Sequence, residues 1–289
     1  MKKNILLVVN PISGAINKSE FIEAVSFFAT QENLNLIIYA TSGKDDMEKI
    51  QELYTLHQPK RILIAGGDGT IKMVAEATKS EDVILGILPA GSANGLATDL
   101  DLLLSLEESI AVAFSENYVE VDAIAINGEM CLHLSDIGVN ADLIKNYEKS
   151  SVRGKLGYVL QVFNTLVDLG DTFTATIIAN NETLTCNARM VVIANATKYG
   201  TGVVINPNGI INDGKFELVI LKNLDLLVFA EIITGNIPIN SEDVEVISTD
   251  KATITTNFPV SLQIDGEYCG TINHLDLAIL SKRIKIAVK

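Results

Sequence analysis

The stretch Leu63-Ile64-Ala65-Gly66-Gly67-Asp68-Gly69-Thr70 decides how the first part of this chain folds. A short apolar run ends in two glycines, an aspartate, a third glycine and a threonine. Apolar residues then recur at helical spacing, so the stretch predicts a buried strand, a sharp turn and the start of a helix. The glycines let a ligand or another backbone approach the main chain closely.

This turn is suited to a phosphate, because the first amides of a helix have no internal partner and attract anions. Asp68 adds a carboxylate at the carboxyl end of a buried strand, where open α/β sheets place their ligands. The alternative is a tight strand-to-helix turn that binds nothing. The turn taken alone leaves both interpretations open.

The first half of the chain alternates strands and helices. Strands are predicted at 5–9, 34–40, 62–65 and 83–88, and helices at 18–30 and 47–57, the second capped by Asp45 or Asp46. Continuous apolar strands are typical of a sheet that helices cover on both faces. The pattern therefore predicts a doubly wound, three-layer α/β domain with a mostly parallel sheet.

The pattern changes near residue 118, after which most predicted elements are short strands. They lie at 118–127, 130–136, 172–179, 183–187, 189–194, 216–221, 244–248, 251–256, 260–264, 275–280 and 284–288, with helices at 155–169 and 224–234. Many short strands separated by turns predict a β-sandwich-like second domain. The expected domains are 1–122 and 123–280, with 281–289 a candidate to return to the first, and the active site is expected in a cleft between them.

Composition excludes several classes of protein. The 289 residues are 48% hydrophobic, which indicates a globular chain, and no apolar run approaches the roughly 20 residues of a membrane span. A formal charge of −14 repels nucleic acid, so no nucleic-acid partner is expected. The three cysteines and three histidines are scattered, which disfavours a disulfide framework or zinc site. We expect a cytoplasmic protein.

Two more turns rich in small and polar residues follow predicted strands. Asn10-Pro11-Ile12-Ser13-Gly14 comes after the first strand, and Leu88-Pro89-Ala90-Gly91-Ser92-Ala93-Asn94-Gly95 comes after the fourth. The first is not a Walker A loop: Lys18-Ser19 is present, but Ile12 and Asn17 replace the required glycines. Three such turns at the carboxyl ends of one sheet favour a shared phosphate site.

In this order, Asn-Pro-x-Ser-Gly, Gly-Gly-Asp-Gly-Thr and Leu-Pro-x-Gly-Ser-x-Asn resemble the catalytic domain of the diacylglycerol kinase family. That family includes bacterial soluble lipid kinases, sphingosine kinases and ceramide kinases, and is related to the NAD kinases. The resemblance continues through almost the whole chain. It is carried in the second half by Ser135-Asp136-Ile137-Gly138-Val139-Asn140-Ala141, Arg153-Gly154-Lys155-Leu156-Gly157-Tyr158, Asn212-Asp213-Gly214-Lys215-Phe216 and Gln263-Ile264-Asp265-Gly266-Glu267.

The resemblance implies an NAD kinase-like first domain that binds ATP, with Asp68 beside the phosphates and Mg²⁺ as a catalytic residue. The residues that it implies for ATP are Asn10, Pro11, Ile12, Ser13, Gly14, Thr41, Gly66, Gly67, Asp68, Gly69, Thr70, Ser92 and Asn94.

The resemblance also implies two features of the second domain. Glu267, with Asp265 as the alternative, would be the general base that takes the proton of a lipid hydroxyl. A structural Mg²⁺ would be held by Asp213 and the backbone carbonyls of Ile210 and Lys215, and Asp122 would join an acidic network linked to metal.

The expected function is an ATP- and Mg²⁺-dependent lipid kinase of phospholipid metabolism, acting on diacylglycerol or a sphingoid base. Transient membrane contact is expected, and a peripheral position at the inner membrane surface and a homodimer stay open. One alternative is a kinase of NAD or another soluble metabolite. Another is a non-catalytic nucleotide or lipid sensor, since Lys72, Met73 and Gly95 replace residues common in the family.

Overall fold

The computed structural model describes residues 2–138, 172–198, 202–223, 231–232, 234–235, 237–239, 241–280 and 283–289. The chain divides into two compact units, Met1–Val121 with Ser281–Lys289, and Asp122–Leu280. The predicted helix at 155–169, the segment 153–158 and the end of the segment 135–141 lie outside the described residues, as does most of the predicted helix at 224–234. Within the described residues, no helix combines the length and apolar character needed to cross a membrane.

The first unit alternates strands and helices, and its chain begins and ends in one sheet. Its described elements are β1 Asn4–Val9, α1 Lys18–Gln31, β2 Asn35–Ala40, α2 Asp46–His57, β3 Arg61–Gly66, α3 Asp68–Ala77, β4 Ile84–Pro89, α4 Gly95–Asp99, α5 Leu106–Ala113, β5 Tyr118–Val121 and β16 Ile284–Ala287.

These strands form a six-stranded sheet in the order β2-β1-β3-β4-β16-β5. All neighbouring pairs are parallel except β16 with β5. Every residue of β3 is buried, because this central strand has neighbours on both sides and helices on both faces. The carboxyl ends of β1, β3 and β4 therefore meet at one edge of the sheet.

Alternate residues of the strands serve the two faces of this sheet. On one face, Leu7, Leu63 and Leu88 pack with Phe21 of α1 and Ile110 of α5 in one apolar cluster. On the other face, α2 and α3 pack against each other and bury their own apolar side chains. Helices thus cover both faces, as the three-layer prediction requires.

The second unit is antiparallel. Its described strands are β6 Ile124–Ile126, β7 Glu129–Cys131, β8 Leu134–Ile137, β9 Phe173–Ala179, β10 Glu182–Ala188, β11 Met190–Ala194, β12 Phe216–Leu221, β13 Val244–Thr249, β14 Lys251–Ile264 and β15 Glu267–Ile279. They form a ten-stranded sheet with the path β13-β12-β11-β8-β14-β15-β6-β7, from which β9 and β10 branch at β14.

Strand β14 changes partners along its length, which lets one sheet enclose a core. Residues 252–256 pair with β9, whereas residues 262–264 pair with β8. The register with β15 shifts between Thr255 and Val260, as expected of a bulge that bends a strand. Ile254 in the first of these parts and Leu262 in the second belong to one buried cluster, which also contains Phe216 of β12.

Candidate functional site

The turns after β1 and β3 lie side by side because these strands are hydrogen-bonded neighbours. Asn10 Nδ2 donates to the Thr70 hydroxyl at 3.0 Å, and the Asn10 backbone N–H donates to the Ala65 carbonyl at 2.9 Å. The Asn10–Asn17 segment, called here the first loop, is therefore fastened to the start of α3. This hydrogen bond joins two residues that are 60 positions apart in the sequence.

Backbone contacts that leave no room for side chains join the turn after β4 to the turns after β3 and β1. A Cβ on Gly91 would lie 2.4 Å from Gly67 Cα, and a Cβ on Gly14 would lie 2.6 Å from the Ala90 carbonyl oxygen. Gly14 also has a φ of +57°, which side chains disfavour. Packing between the loops thus accounts for several of the glycines that the motifs contain.

Asp68 holds the start of α4. Its two carboxylate oxygens accept hydrogen bonds from the backbone N–H groups of Gly95, at 2.8 Å, and Leu96, at 3.1 Å. These amides have no helical partners of their own, so the carboxylate satisfies them and fixes the position of the third loop, residues 90–94. A role for Asp68 beside phosphates and Mg²⁺ stays a prediction.

Other polar residues of the motifs also bond within the loops. The Ser13 hydroxyl donates to the carbonyls of Asn10, at 3.1 Å, and Ala90, at 3.2 Å. The Asn94 side chain accepts from the Gly91 N–H at 2.8 Å and donates to the Gly91 carbonyl at 3.0 Å. Ile12 and Ser92 are exposed, and Ile12 retains 87% of its accessible surface.

Thr41 follows β2 and bonds to β1, since its backbone N–H donates to the Val9 carbonyl at 2.8 Å. The next residues are held by Asp46, for which the sequence predicts only a role as one of two candidate helix caps. Its buried carboxylate accepts from the N–H groups of Ser42, at 2.8 Å, and Gly43, at 2.7 Å, and from the Tyr39 hydroxyl at 2.5 Å. Asp45 is the N-cap residue of α2, as predicted, although its side chain makes no capping bond.

These contacts shift the pKa values of both side chains. Burial alone would raise the pKa of Asp46, but the hydrogen bonds from Ser42, Tyr39 and Gly43 bring it below its usual value. Burial, followed by the interaction with Asp46, raises the pKa of Tyr39 to about 12. An ionised Asp46 and a neutral Tyr39 therefore fix the loop that carries Thr41.

In the second unit, the turn between β14 and β15 contains Asp265, Gly266 and Glu267. The Asp265 carboxylate accepts from the backbone N–H groups of Leu132 and His133, both at 2.9 Å, and from the Cys131 thiol at 3.4 Å. Burial raises the pKa of Asp265, although these hydrogen bonds act in the opposite direction. Glu267 is exposed. The Asp265 carboxylate is thus enclosed by backbone amides, whereas the Glu267 carboxylate faces solvent.

The residues predicted to hold a structural Mg²⁺ lie on one loop of the second unit. The Asp213 carboxylate accepts from the Lys215 N–H at 3.0 Å, and the buried Asp122 carboxylate accepts from the Gly214 N–H at 2.6 Å. The Asp122 N–H donates to the Ile211 carbonyl at 2.9 Å. Ile210 is exposed. The donor set of carboxylate and carbonyl oxygens fits a hard cation such as Mg²⁺.

A second type of metal centre finds no support. Among the described residues, no group of three or more His, Cys, Asp or Glu side chains converges as metal ligands would. The predicted Mg²⁺ loop does not conflict with this, since two of its three proposed ligands are backbone carbonyls.

The chain combines an α/β unit that carries three joined loops at its strand ends with an antiparallel unit that carries an acidic turn. Residues 4–126 match the family model described as diacylglycerol kinase catalytic domain, and residues 135–287 match the YegS C-terminal NAD kinase beta sandwich-like domain. The chain belongs to this family of kinases. The predicted resemblance and the predicted fold class are both confirmed.

Similar proteins include relatives and a solved structure. A protein named probable lipid kinase YegS, from Escherichia fergusonii, is 25% identical over 97% of this chain and 95% of its own. One named probable lipid kinase YegS-like, from Yersinia pseudotuberculosis, is 28% identical over 85% of each chain. A crystal structure of a diacylglycerol kinase from Bacillus anthracis matches with a TM-score of 0.77 at 19% identity, covering 99% of this chain and 97% of that one. At that identity, the structural likeness speaks for the fold.

Proposed function

We propose that this protein is a lipid kinase that uses ATP and Mg²⁺ to phosphorylate a hydroxyl of a lipid such as diacylglycerol or a sphingoid base. The observation that carries the proposal is the bonding of three strand-end loops into one structure in the first unit. Asn10 bonds to Thr70, Ser13 bonds to Ala90, and Asp68 bonds to Gly95 and Leu96. The names of the YegS relatives support a lipid as the acceptor.

Phosphoryl transfer suits such a framework, since it needs positioning and charge stabilisation more than covalent chemistry from the protein. Backbone amides of the three loops would bind the phosphates of ATP. Bound Mg²⁺ would supply positive charge against the phosphate oxygens.

The proton of the acceptor hydroxyl would pass to Glu267. The hydroxyl oxygen forms a bond to the γ-phosphorus while the bond from that phosphorus to the β,γ-bridging oxygen breaks, and ADP leaves. Glu267 is the better candidate for this role because it is exposed, whereas the Asp265 carboxylate already accepts two backbone amides. Asp265 would then position the turn that carries Glu267.

Asp213, with the carbonyls of Ile210 and Lys215, would hold a structural Mg²⁺, and Asp122 would steady that loop through Gly214. The enzyme would reach its acceptor by transient contact with a membrane surface. Co-sedimentation with vesicles that contain diacylglycerol would detect such contact, and equal recovery of the protein with and without vesicles would contradict it.

The test is a transfer assay with radiolabelled ATP, Mg²⁺ and separate acceptors: diacylglycerol, sphingosine, ceramide, phosphatidylglycerol and NAD. We expect label in one of the lipids, with the loss of that label in Glu267→Gln. The matched control is Glu242→Gln, which changes another exposed carboxylate of the second unit and should retain transfer. Calorimetry with ATP measures nucleotide binding in the same preparations.

Transfer to NAD and to no lipid would replace the proposal with a soluble-metabolite kinase. ATP binding without transfer to any acceptor would refute the proposed acceptor class. Equal transfer by wild type and Glu267→Gln would remove Glu267 from the chemistry.

A further inference from the structure

Lys18, the first residue of α1, has a buried ammonium whose partners in the described structure are all backbone carbonyls. Its Nζ donates to the carbonyls of Ser13 at 2.5 Å, Ile16 at 2.9 Å and Ala90 at 3.1 Å. Lys18 retains only 6% of its accessible surface. An ammonium has three N–H donors, so these three bonds use all of them.

The three carbonyls come from two different loops. Ser13 and Ile16 belong to the first loop, whereas Ala90 begins the third loop, more than 70 residues later. The Ala90 carbonyl also accepts from the Ser13 hydroxyl at 3.2 Å. Gly14 packs so closely against it that a Cβ would lie 2.6 Å away. The Ala90 carbonyl is therefore the point at which the first loop is attached to the third.

A lysine at this position has a cost that a surface lysine lacks. Burial lowers the pKa of the Lys18 ammonium, because removing its charge from water is unfavourable. Three carbonyl dipoles directed at one nitrogen offset that cost, as they do for a bound metal cation. The lysine thus acts as a cation built into the chain, and carbonyls that would otherwise repel each other can converge.

We propose that Lys18 is a positioning residue for ATP, whose ammonium locks the first loop onto Ala90 of the third loop and thereby sets the spacing of the phosphate-binding backbone. This inference rests on the proposed function, since it assigns ATP to these loops. It differs from the role of a Walker A lysine: all three donors of Lys18 go to carbonyls, so it acts on the nucleotide through the loops.

The test compares Lys18→Met and Lys18→Arg with the control Lys49→Met. Methionine keeps the apolar stem and removes the charge. Arginine keeps the charge, but no nitrogen of its planar guanidinium carries three N–H groups, so it cannot donate to three carbonyls from one position. Lys49 lies on α2, is exposed and, within the described residues, forms its ion pair with Glu52 on its own helix, so its loss should leave activity unchanged.

Both Lys18 variants should bind ATP about tenfold more weakly, which corresponds to about 1.4 kcal/mol. The KM for ATP should rise by the same factor, while kcat stays within about threefold, because the lysine touches neither reacting group. In the absence of nucleotide, amide hydrogens of residues 10–17 should exchange about tenfold faster than in wild type. A purely structural effect would lower thermal stability without this separation of KM from kcat.

Three results would overturn the inference. One is an unchanged KM and unchanged exchange in Lys18→Met. Another is full rescue by Lys18→Arg, which would show that charge alone matters. The third is loss of kcat at constant KM, which would make Lys18 part of the chemistry. If Lys18→Met fails to fold, Ser13→Ala tests the same attachment, since it removes one donor to Ala90 and should raise the KM for ATP by a smaller factor.

The amide exchange experiment also separates this inference from the proposed function. If wild type neither binds ATP nor transfers phosphate, the proposed function fails. Exchange at residues 10–17 without nucleotide would still report whether Lys18 attaches the two loops.

Discussion

Replacement of Asp265 by alanine tests whether this carboxylate positions the acidic turn or takes part in the chemistry. Two backbone N–H groups, from Leu132 and His133, would lose their acceptor. Each unsatisfied amide costs about 1–3 kcal/mol, and because both bonds are only partly buried we take about 1–1.5 kcal/mol for each. Asp265 also has a φ of +49°, where alanine costs about 1 kcal/mol more than aspartate or asparagine.

The expected loss for Asp265→Ala is therefore about 3–4 kcal/mol of unfolding free energy in the second unit. Asp265→Asn is the matched variant, because asparagine tolerates the backbone conformation and keeps one acceptor oxygen. It should lose only about 1–2 kcal/mol. Glu267→Gln should leave stability unchanged, since Glu267 is exposed, but should reduce transfer by about 10²–10⁴-fold as expected for a lost general base.

Urea unfolding followed by far-ultraviolet circular dichroism gives the stabilities, since the chain has no tryptophan for fluorescence. The transfer assay gives the rates. A positioning role for Asp265 is refuted if Asp265→Ala unfolds at the wild-type urea concentration. It is equally refuted if Asp265→Asn keeps its stability and loses as much activity as Glu267→Gln, since Asp265 would then be the base.

Three further changes test the loops of the first unit. Asp46→Ala removes the carboxylate that holds the residues after Thr41. In steady-state kinetics it should raise the KM for ATP several-fold with little effect on kcat. An unchanged KM would exclude Thr41 from nucleotide binding. Tyr39→Phe should abolish a tyrosine ionisation at about pH 12 in an absorbance titration. Because the folded pKa of Tyr39 is raised, its contribution to stability is complete below about pH 10 and is lost as the pH rises through 12. Ionisation of all wild-type tyrosines near pH 10 would contradict the hydrogen bond from Tyr39 to Asp46. Gly91→Ala places a Cβ 2.4 Å from Gly67 Cα, which forces the two loops apart, and it should abolish ATP binding in calorimetry. Wild-type affinity would show that ATP binding does not depend on the close contact between these loops.

Much of the first unit follows from sequence because its signals are local. The apolar strands, the two amphipathic helices and the turns at the strand ends all lie within one or two residues of their predicted places. The helix Leu106–Ala113 was missed, although Ser105 and Glu108 form a capping box that the sequence displays. That signal spans only Ser105 to Glu108.

The second unit was harder to predict because its strand bounds depend on tertiary contacts. A single predicted strand at 118–127 is divided at Asp122, where the chain passes from one unit to the other. Two strands predicted at 251–256 and 260–264 are one strand, since a bulge accommodates the interruption at Pro259. The early part of β15 is mostly exposed and polar, so no alternation marked it. By contrast, the predicted strands 172–179 and 183–187 pair as β9 and β10, and Asn180 and Asn181 between them both adopt the positive φ of a two-residue hairpin turn.

Lys18 and Asp46 could not be assigned from sequence for a different reason. A lysine at a helix start and an aspartate in a first helical turn are ordinary surface features on local grounds. Their partners are backbone groups of neighbouring loops, which carry no sequence signal. Only the folded loops show that these side chains are buried and what they hold.

The same geometry explains why this chain can depart from its family's common residues in the third loop. Gly95 replaces a residue that is common in the family. Its contact to Asp68 is made by the backbone N–H, which any residue other than proline supplies. Most motif side chains, including Asn10, Ser13 and Asn94, bond to other loop atoms and shape the main chain. In a site whose backbone amides bind phosphate, substitution is tolerated less at the residues that hold the loops in place than at the other side chains of the loops.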